Sequence, residues 1–160
     1  MQKSFLSCAV AALGLALAFP ALACERPAQR QTIHAEFTSW VNDLRASRGL
    51  KPLRPSASLE KAATAHACDM AGRNFMGHRG SDGSTLKTRL RSVGYGLSTA
   101  TENVARSSQP PSSATAARLW SNSPGHLVNL LNPQITEMGL AVIEGEGGSY
   151  YVFVGAKPRG

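Results

Sequence analysis

The sequence predicts an α+β domain, with helices first and an antiparallel hairpin last. Apolar residues recur at three- and four-residue steps through most of the stretch between Thr32 and Asn74. Two β-branched and aromatic runs, Met138–Ile143 and Tyr150–Gly155, close the chain around the turn-prone Glu144–Ser149. Helical runs followed by strand runs mark helices packed on a small sheet, not alternating β and α units.

Each element has its own warrant. Thr32–Arg48 reads as a helix, because Ile33, Phe37, Trp40, Val41 and Leu44 share one face and Gly49 stops it. Lys51–Pro55 (KPLRP) is a rigid connector. A second helix, Leu59–Asn74, follows a cap at Ser56 or Ser58, and Leu59, Ala62, Ala63, His66 and Met70 form its stripe. Gly77–Gly83 is a glycine-rich loop, and Thr85–Val93 a short basic helix ended by Gly94. Leu97–Ala105 is irregular or a short strand. Ser107–Ser113 is a linker, and Ala114–Trp120 begins another helix. Ser123 and Pro124 then read as N-cap and first turn of a helix carrying His126, Val128, Leu130 and Leu131.

The chain has 160 residues and a formal net charge of +7. Residues 1–23 read as a cleaved signal peptide. Lys3 is the positive start, Phe5–Phe19 the apolar run, and Ala21-Leu22-Ala23 the small-residue cleavage site. The stretch up to Leu22 is just long enough for a membrane anchor, but Pro20 and the cleavage pattern favour removal. No other segment is apolar enough to span a bilayer. The chain divides into the signal at 1–23, an N-terminal segment at 24–31 and one domain at 32–158, and is expected to be secreted or periplasmic and monomeric. Without Lys3 the charge is +6, scattered rather than clustered. Such a surface suits solubility or contact with anionic envelope polymers. Nothing resembles a nucleic-acid motif.

Cys24 and Cys68 remain after cleavage. In an oxidising compartment one disulfide is the simple reading, closing a loop of over 40 residues and stabilising by roughly 3–4 kcal/mol. The competing reading is a lipoprotein acylated at Cys24, since Ala21–Cys24 is an imperfect lipobox.

Four histidines are present. His34 is expected at the surface and His66 in the core. His78 and His126 each adjoin a glycine at an element's edge, where backbone can approach a ligand. Glu102 lies between apolar stretches with no neighbouring Lys or Arg, and a half-buried carboxylate needs a partner. Glu137 enters the first terminal β run. Two histidines and one or two carboxylates suit a divalent metal such as zinc, a general acid–base pair, or a polar brace between loops. There is no HExxH, no CxxC and no GxSxG.

Five stretches together resemble the CAP superfamily of cysteine-rich secretory, antigen 5 and pathogenesis-related proteins, in its short bacterial branch. They are VNDLRASRGLKPLRPSASLEKAATAHACDM, FMGHRGSDGSTLKTRLRSVGY, TENVA, LWSNSPGHLVNLLNPQITEMGLAV and YYVFVGAKP, in the family's order. The resemblance implies a three-layer α-β-α sandwich with a His/Glu-lined cleft, which in some members binds zinc or another divalent cation. His78 matches the histidine after the second helix, Glu102 the Glu of the E-N motif, and His126 the histidine of the bacterial W-x-x-S-P-x-H motif, with Trp120 and Ser123 in place. Asn129 and Glu137 fall on positions typical of the bacterial branch. The G-H-[FY]-T-Q strand of animal and plant members is absent.

The resulting expectation is a binding module for a small ligand, lipid or divalent cation at the cell envelope. The alternative is a metal-assisted, peptidase-like hydrolase using Glu102 as base with His78 and His126.

Overall fold

A computed structural model describes residues 24–160; the expected signal peptide, with Cys8, lies outside the described residues. The elements run α1 (Arg30–Ala46), β1 (Arg54–Pro55), α2 (Ala57–Gly72), α3 (Leu86–Ser92), β2 (Leu97–Ser107), α4 (Ser113–Ser121), α5 (Pro124–Leu130), β3 (Glu137–Gly145) and β4 (Gly148–Pro158). The strands form one mixed sheet in the order β1-β3-β4-β2, with β1 parallel to β3 and the other pairs antiparallel.

The expected terminal hairpin is the centre of this sheet. Both its strands are covered on both faces, which is why they read as nearly unbroken apolar runs instead of alternating ones. Leu140, Val142, Tyr151 and Phe153 face α1, α4 and α5, where Phe37, Val41, Trp120 and Leu130 complete one core. Ala141, Ile143, Val152 and Val154 face α2 and α3, where Leu59, Ala63, Met70 and Leu90 complete the other. Helices on both faces of a sheet make the three-layer sandwich that the resemblance implies.

Two elements exceed the sequence reading. Leu97–Ser107 is a full strand of 11 residues, paired with β4 from Leu97↔Pro158 to Ser107↔Ser149. The rigid connector contributes β1, whose flanking amides donate from Arg54 to Thr136 O and from Ser56 to Met138 O. Ser56 and Ser123 hold the N-cap positions of α2 and α5, but neither side chain makes a capping hydrogen bond.

The small residues of α2 allow it to lie directly on β3. A Cβ added at Gly139 would run into the backbone of Leu59 and Glu60. Gly139→Ala is therefore expected to destabilise by about 1–3 kcal/mol through overpacking, read as a lower urea midpoint. An unchanged midpoint would show that α2 can slide freely.

Two covalent and polar ties set the frame. Cys24 is bonded to Cys68 on α2, and Glu144 N donates to Glu25 O at 2.9 Å, so the N-terminal strap is held at two places. Arg45, 1% exposed at the end of α1, donates to Lys51 O, Leu130 O and Asn132 O. These bonds satisfy carbonyls around the end of α5 and fix the helix that carries His126.

Candidate functional site

The site lies at the β2 edge of the sheet. Side chains alternate along β2, so Glu102 shares the α2–α3 face with Val104, while Asn103 shares the opposite face with Ala105. β2 has no strand neighbour beyond it, and α5 covers that edge. Asn129 Nδ2 donates to Glu102 O at 3.2 Å and to Asn103 Oδ1 at 2.8 Å, and Asn103 Nδ2 donates to His126 O at 2.9 Å. One asparagine pair thus pins the first turn of α5 against the strand.

Glu102 has the partner its setting demands. Its side chain is 3% exposed; Oε2 accepts from Arg89 Nη2 at 2.7 Å and Oε1 from His78 Nδ1 at 3.0 Å. A carboxylate only accepts, so His78 carries a proton on Nδ1 and directs Nε2 away from Glu102. The His78 side chain is 62% exposed, so this nitrogen belongs to the open side of the site. Arg89 Nη2 also donates to His78 O at 3.1 Å and thereby holds the loop from within.

His126 is half-buried. Its Nδ1 is buried without a hydrogen-bond partner. Burial, and secondly the neighbouring charge of His78, holds its pKa below the ordinary 6.5. The ring is therefore neutral near pH 7 and can present a lone pair.

The sequence candidates divide. The network joins His78, Glu102 and Asn129, with the His126 backbone bonded to Asn103 and the His126 ring sensing His78. Ser123 contributes its carbonyl, which accepts from His126 N at 3.0 Å and Leu127 N at 2.8 Å, but no side-chain bond. Glu137 belongs elsewhere. It accepts from Arg54 Nη2 at 3.0 Å and Tyr95 OH at 2.9 Å. By register it sits two strands across and two residues along from Glu102, a backbone separation of about 12 Å.

Arg89 and Asn103 are the residues that sequence reasoning missed. Arg89 lies thirteen residues before Glu102, and nothing local links them. Asn103 is wholly buried and bonded, and the signal was only its place beside Glu102. His66 is the core histidine expected, 1% exposed, with Nε2 bonded to Gly77 O at 2.8 Å and Nδ1 buried without a partner. His34 is not a plain surface residue. It sits half-buried beside Glu60, with Nδ1 to Oε2 at 3.6 Å.

Zinc sites use three or four protein ligands near 2 Å. Among the described residues, no three His, Cys, Asp or Glu side chains gather into a metal-ligand group. Glu102 is already compensated by a guanidinium, so the site offers two imidazoles at most.

Burial gives the fold a pH signature. His34, His66 and His126 all have pKa values lowered, first by desolvation. The unfolded chain therefore takes up protons before the native one does as pH falls. Stability from these groups is complete above about pH 6.5 and is lost as pH drops below it towards the native values. Urea midpoints are expected to fall between pH 7 and 5; a midpoint constant over that window would contradict the burial of these rings.

Comparison with known proteins places the chain. The model of the cysteine-rich secretory protein family (CAP) matches residues 38–156. The uncharacterized protein YkwD of Bacillus subtilis (strain 168) is 31% identical over 118 residues, covering 74% of this chain and 45% of YkwD. Among solved structures, an extracellular protein containing a SCP domain from Bacillus anthracis str. Ames has a TM-score of 0.72 at 28% identity, over 79% of this chain and 41% of that one. An outer surface protein from Borrelia burgdorferi has a TM-score of 0.74 at 19% identity, over 84% of this chain and 98% of that one. The chain spans under half the length of the Bacillus proteins it matches. No helix among the described residues is long and apolar enough to cross a membrane.

Proposed function

The chain belongs to the cysteine-rich secretory protein (CAP) family, and from that premise we propose that it works outside the cytoplasm as a binding protein for a small amphiphilic ligand. The export pattern at residues 1–23, the Cys24–Cys68 bond and the extracellular or surface relatives support the location. The His78–Glu102–Arg89 chain carries the activity. It uses a buried ion pair to aim one imidazole nitrogen outward beside a second, neutral imidazole.

Hydrolysis is the weaker reading. The carboxylate in contact with His78, that of Glu102, is buried, and both its oxygens are engaged, so it has no open approach to a substrate proton. Glu102 acts as a positioning group for His78. The two imidazoles act as hydrogen-bond partners for a hydroxyl head group. Met76 and Val128 are the exposed large apolar side chains among the described residues, at 57% and 64%. They stand two residues from His78 and His126 and offer apolar surface for the rest of the ligand.

The test is an NMR titration of residues 24–160 with monolaurin below its micelle concentration. Shifts are expected at the His78 and His126 rings and at the Met76 methyl, and His126→Ala should weaken them. Shifts confined to other residues would sink the proposal, as would monolaurin hydrolysis that Glu102→Gln abolishes. A parallel calorimetric titration with zinc is expected to show no tight one-to-one binding. Tight binding lost in His126→Ala would make the site a metal centre instead.

A further inference from the structure

The hydrogen bonds behind the first turn of α5 fix how two asparagine amides are turned. The backbone carbonyls of His126 and Glu102 can only accept. Asn103 therefore presents Nδ2 to His126 O at 2.9 Å, which leaves its Oδ1 to face Asn129. Asn129 presents Nδ2 in turn, and its two hydrogens go to Asn103 Oδ1 at 2.8 Å and Glu102 O at 3.2 Å. The opposite flip would set the Asn129 oxygen against two acceptors. Asn129 Oδ1 thus points away from the pair. It makes no hydrogen bond among the described residues and is not buried, so it is an acceptor open to solvent.

Two observations place this oxygen at the β2-edge site. Asn129 follows His126 by three residues on α5, the spacing that puts two side chains on one helix face. It is also bonded to the backbone of Glu102, whose side chain holds His78. His78 spends its Nδ1 proton on Glu102, so in the neutral ring Nε2 is a bare lone pair. The site therefore offers two acceptors that the protein leaves unmet.

We propose that Asn129 is a third ligand contact beside the two imidazoles, and that the site selects a neutral head group with two hydroxyl donors, a diol. This selection rests on the amphiphile-binding reading and narrows it. One hydroxyl donates to His78 Nε2 and the other to Asn129 Oδ1. A carboxylate or an ester carbonyl has nothing to donate and would set its lone pairs against both. An ammonium group can donate, but it meets a chain whose net charge without Lys3 is +6.

The test is an NMR titration of residues 24–160 at pH 8, where an imidazole is ordinarily neutral. It uses three lauryl esters below their micelle concentrations. Monolaurin has two O–H groups, 2-hydroxyethyl laurate has one, and the isopropylidene ketal of monolaurin has none. Monolaurin is expected to shift the Asn129 side-chain amide signals together with the His78 ring. It should bind about three- to tenfold tighter than 2-hydroxyethyl laurate, the worth of one net hydrogen bond. The ketal should move neither signal. Asn129→Ala also removes two bonds that hold α5, so a purely structural Asn129 would weaken both hydroxyl esters alike. As a contact, its loss should bring the two affinities to equality. A ratio near one in the wild type would overturn the proposal and leave the amphiphile reading standing. So would an unchanged ratio in Asn129→Ala, or ring shifts with the Asn129 amide unmoved. Monolaurin that moves neither imidazole, or a ketal that binds as monolaurin does, would overturn both.

Discussion

Replacing Arg89 by methionine is expected to destabilise the protein by about 3–5 kcal/mol, because it strands a buried carboxylate. The Glu102 side chain is 3% exposed and Arg89 itself 7%, so water cannot take over the lost partner. Methionine keeps most of the apolar stem volume, which separates charge loss from cavity formation. His78 remains on Oε1 but is mostly exposed, and one imidazole cannot replace a cation that also holds the His78 carbonyl and the Ser84 carbonyl. The companion variant removes both charges. Arg89→Met with Glu102→Leu is expected to recover most of the loss, since a buried ion pair exchanged for apolar side chains is often near neutral. Urea denaturation of the two single variants, the double variant and the wild type measures the coupling directly. A single-variant loss below about 1 kcal/mol, the range of exposed ion pairs, would mean that Glu102 is hydrated and that the cleft is wetter than the geometry requires. The double variant should also release His78, so the Nδ1-protonated tautomer would no longer dominate its ring spectrum.

The same ion pair shows where sequence reading stops. Helix positions followed from spacing: α1 and α2 appear within two residues of the expected bounds, because their apolar stripes are long and their stops are Gly49 and the Asn74 region. The β3–β4 hairpin followed from its composition. The strand β2 was only half legible, since TATEN is polar and its neighbour β4 lies 50 residues later in the chain. A polar strand at a sheet edge has little pattern of its own; pairing partners decide it. The two-residue β1 had no signal beyond a proline-rich connector, and its strand character comes entirely from β3.

The site divides along the same line. His78 and His126 stood out because each adjoins a glycine at an element's edge, where backbone can approach a ligand. Glu102 stood out because it had no local counter-ion. Its true partner required knowing that α3 lies across β2, which no local spacing encodes. Glu137 looked equivalent to Glu102, an acid next to an apolar β run. The register places it beside Tyr95 and Arg54 instead, in a separate polar cluster. Acids beside apolar β runs are chemically alike in sequence and are told apart only by what the strand register brings next to them.

Removing the disulfide is expected to cost about 4 kcal/mol, the chain-entropy value for its sequence separation of 44 residues. Cys24→Ser with Cys68→Ser, compared with the wild type in urea, reads this loss; reduction of the wild type should give a similar one. The strap has little else to hold it. Beyond the sulfur bridge, Glu25 makes one isolated bridge to Glu144, Pro27 is buried, and Pro27 O accepts from Arg30 N at 3.0 Å. Cleavage by a protease within residues 24–29 should therefore rise sharply in the double variant, while the Arg89–Glu102–His78 bonds, on other elements, stay intact. A loss below about 1 kcal/mol, near the bottom of the range for disulfides, would mean that the two sulfurs do not constrain the unfolded chain. The same bond separates the two fates open to Cys24. A sulfur joined to Cys68 has no thiol for an acyl chain, so the exported protein should have an intact mass lower by two hydrogens than the dithiol. A mass higher by a diacylglyceryl group would instead place Cys24 on a membrane, and Cys68 would be left as a half-buried free thiol on α2.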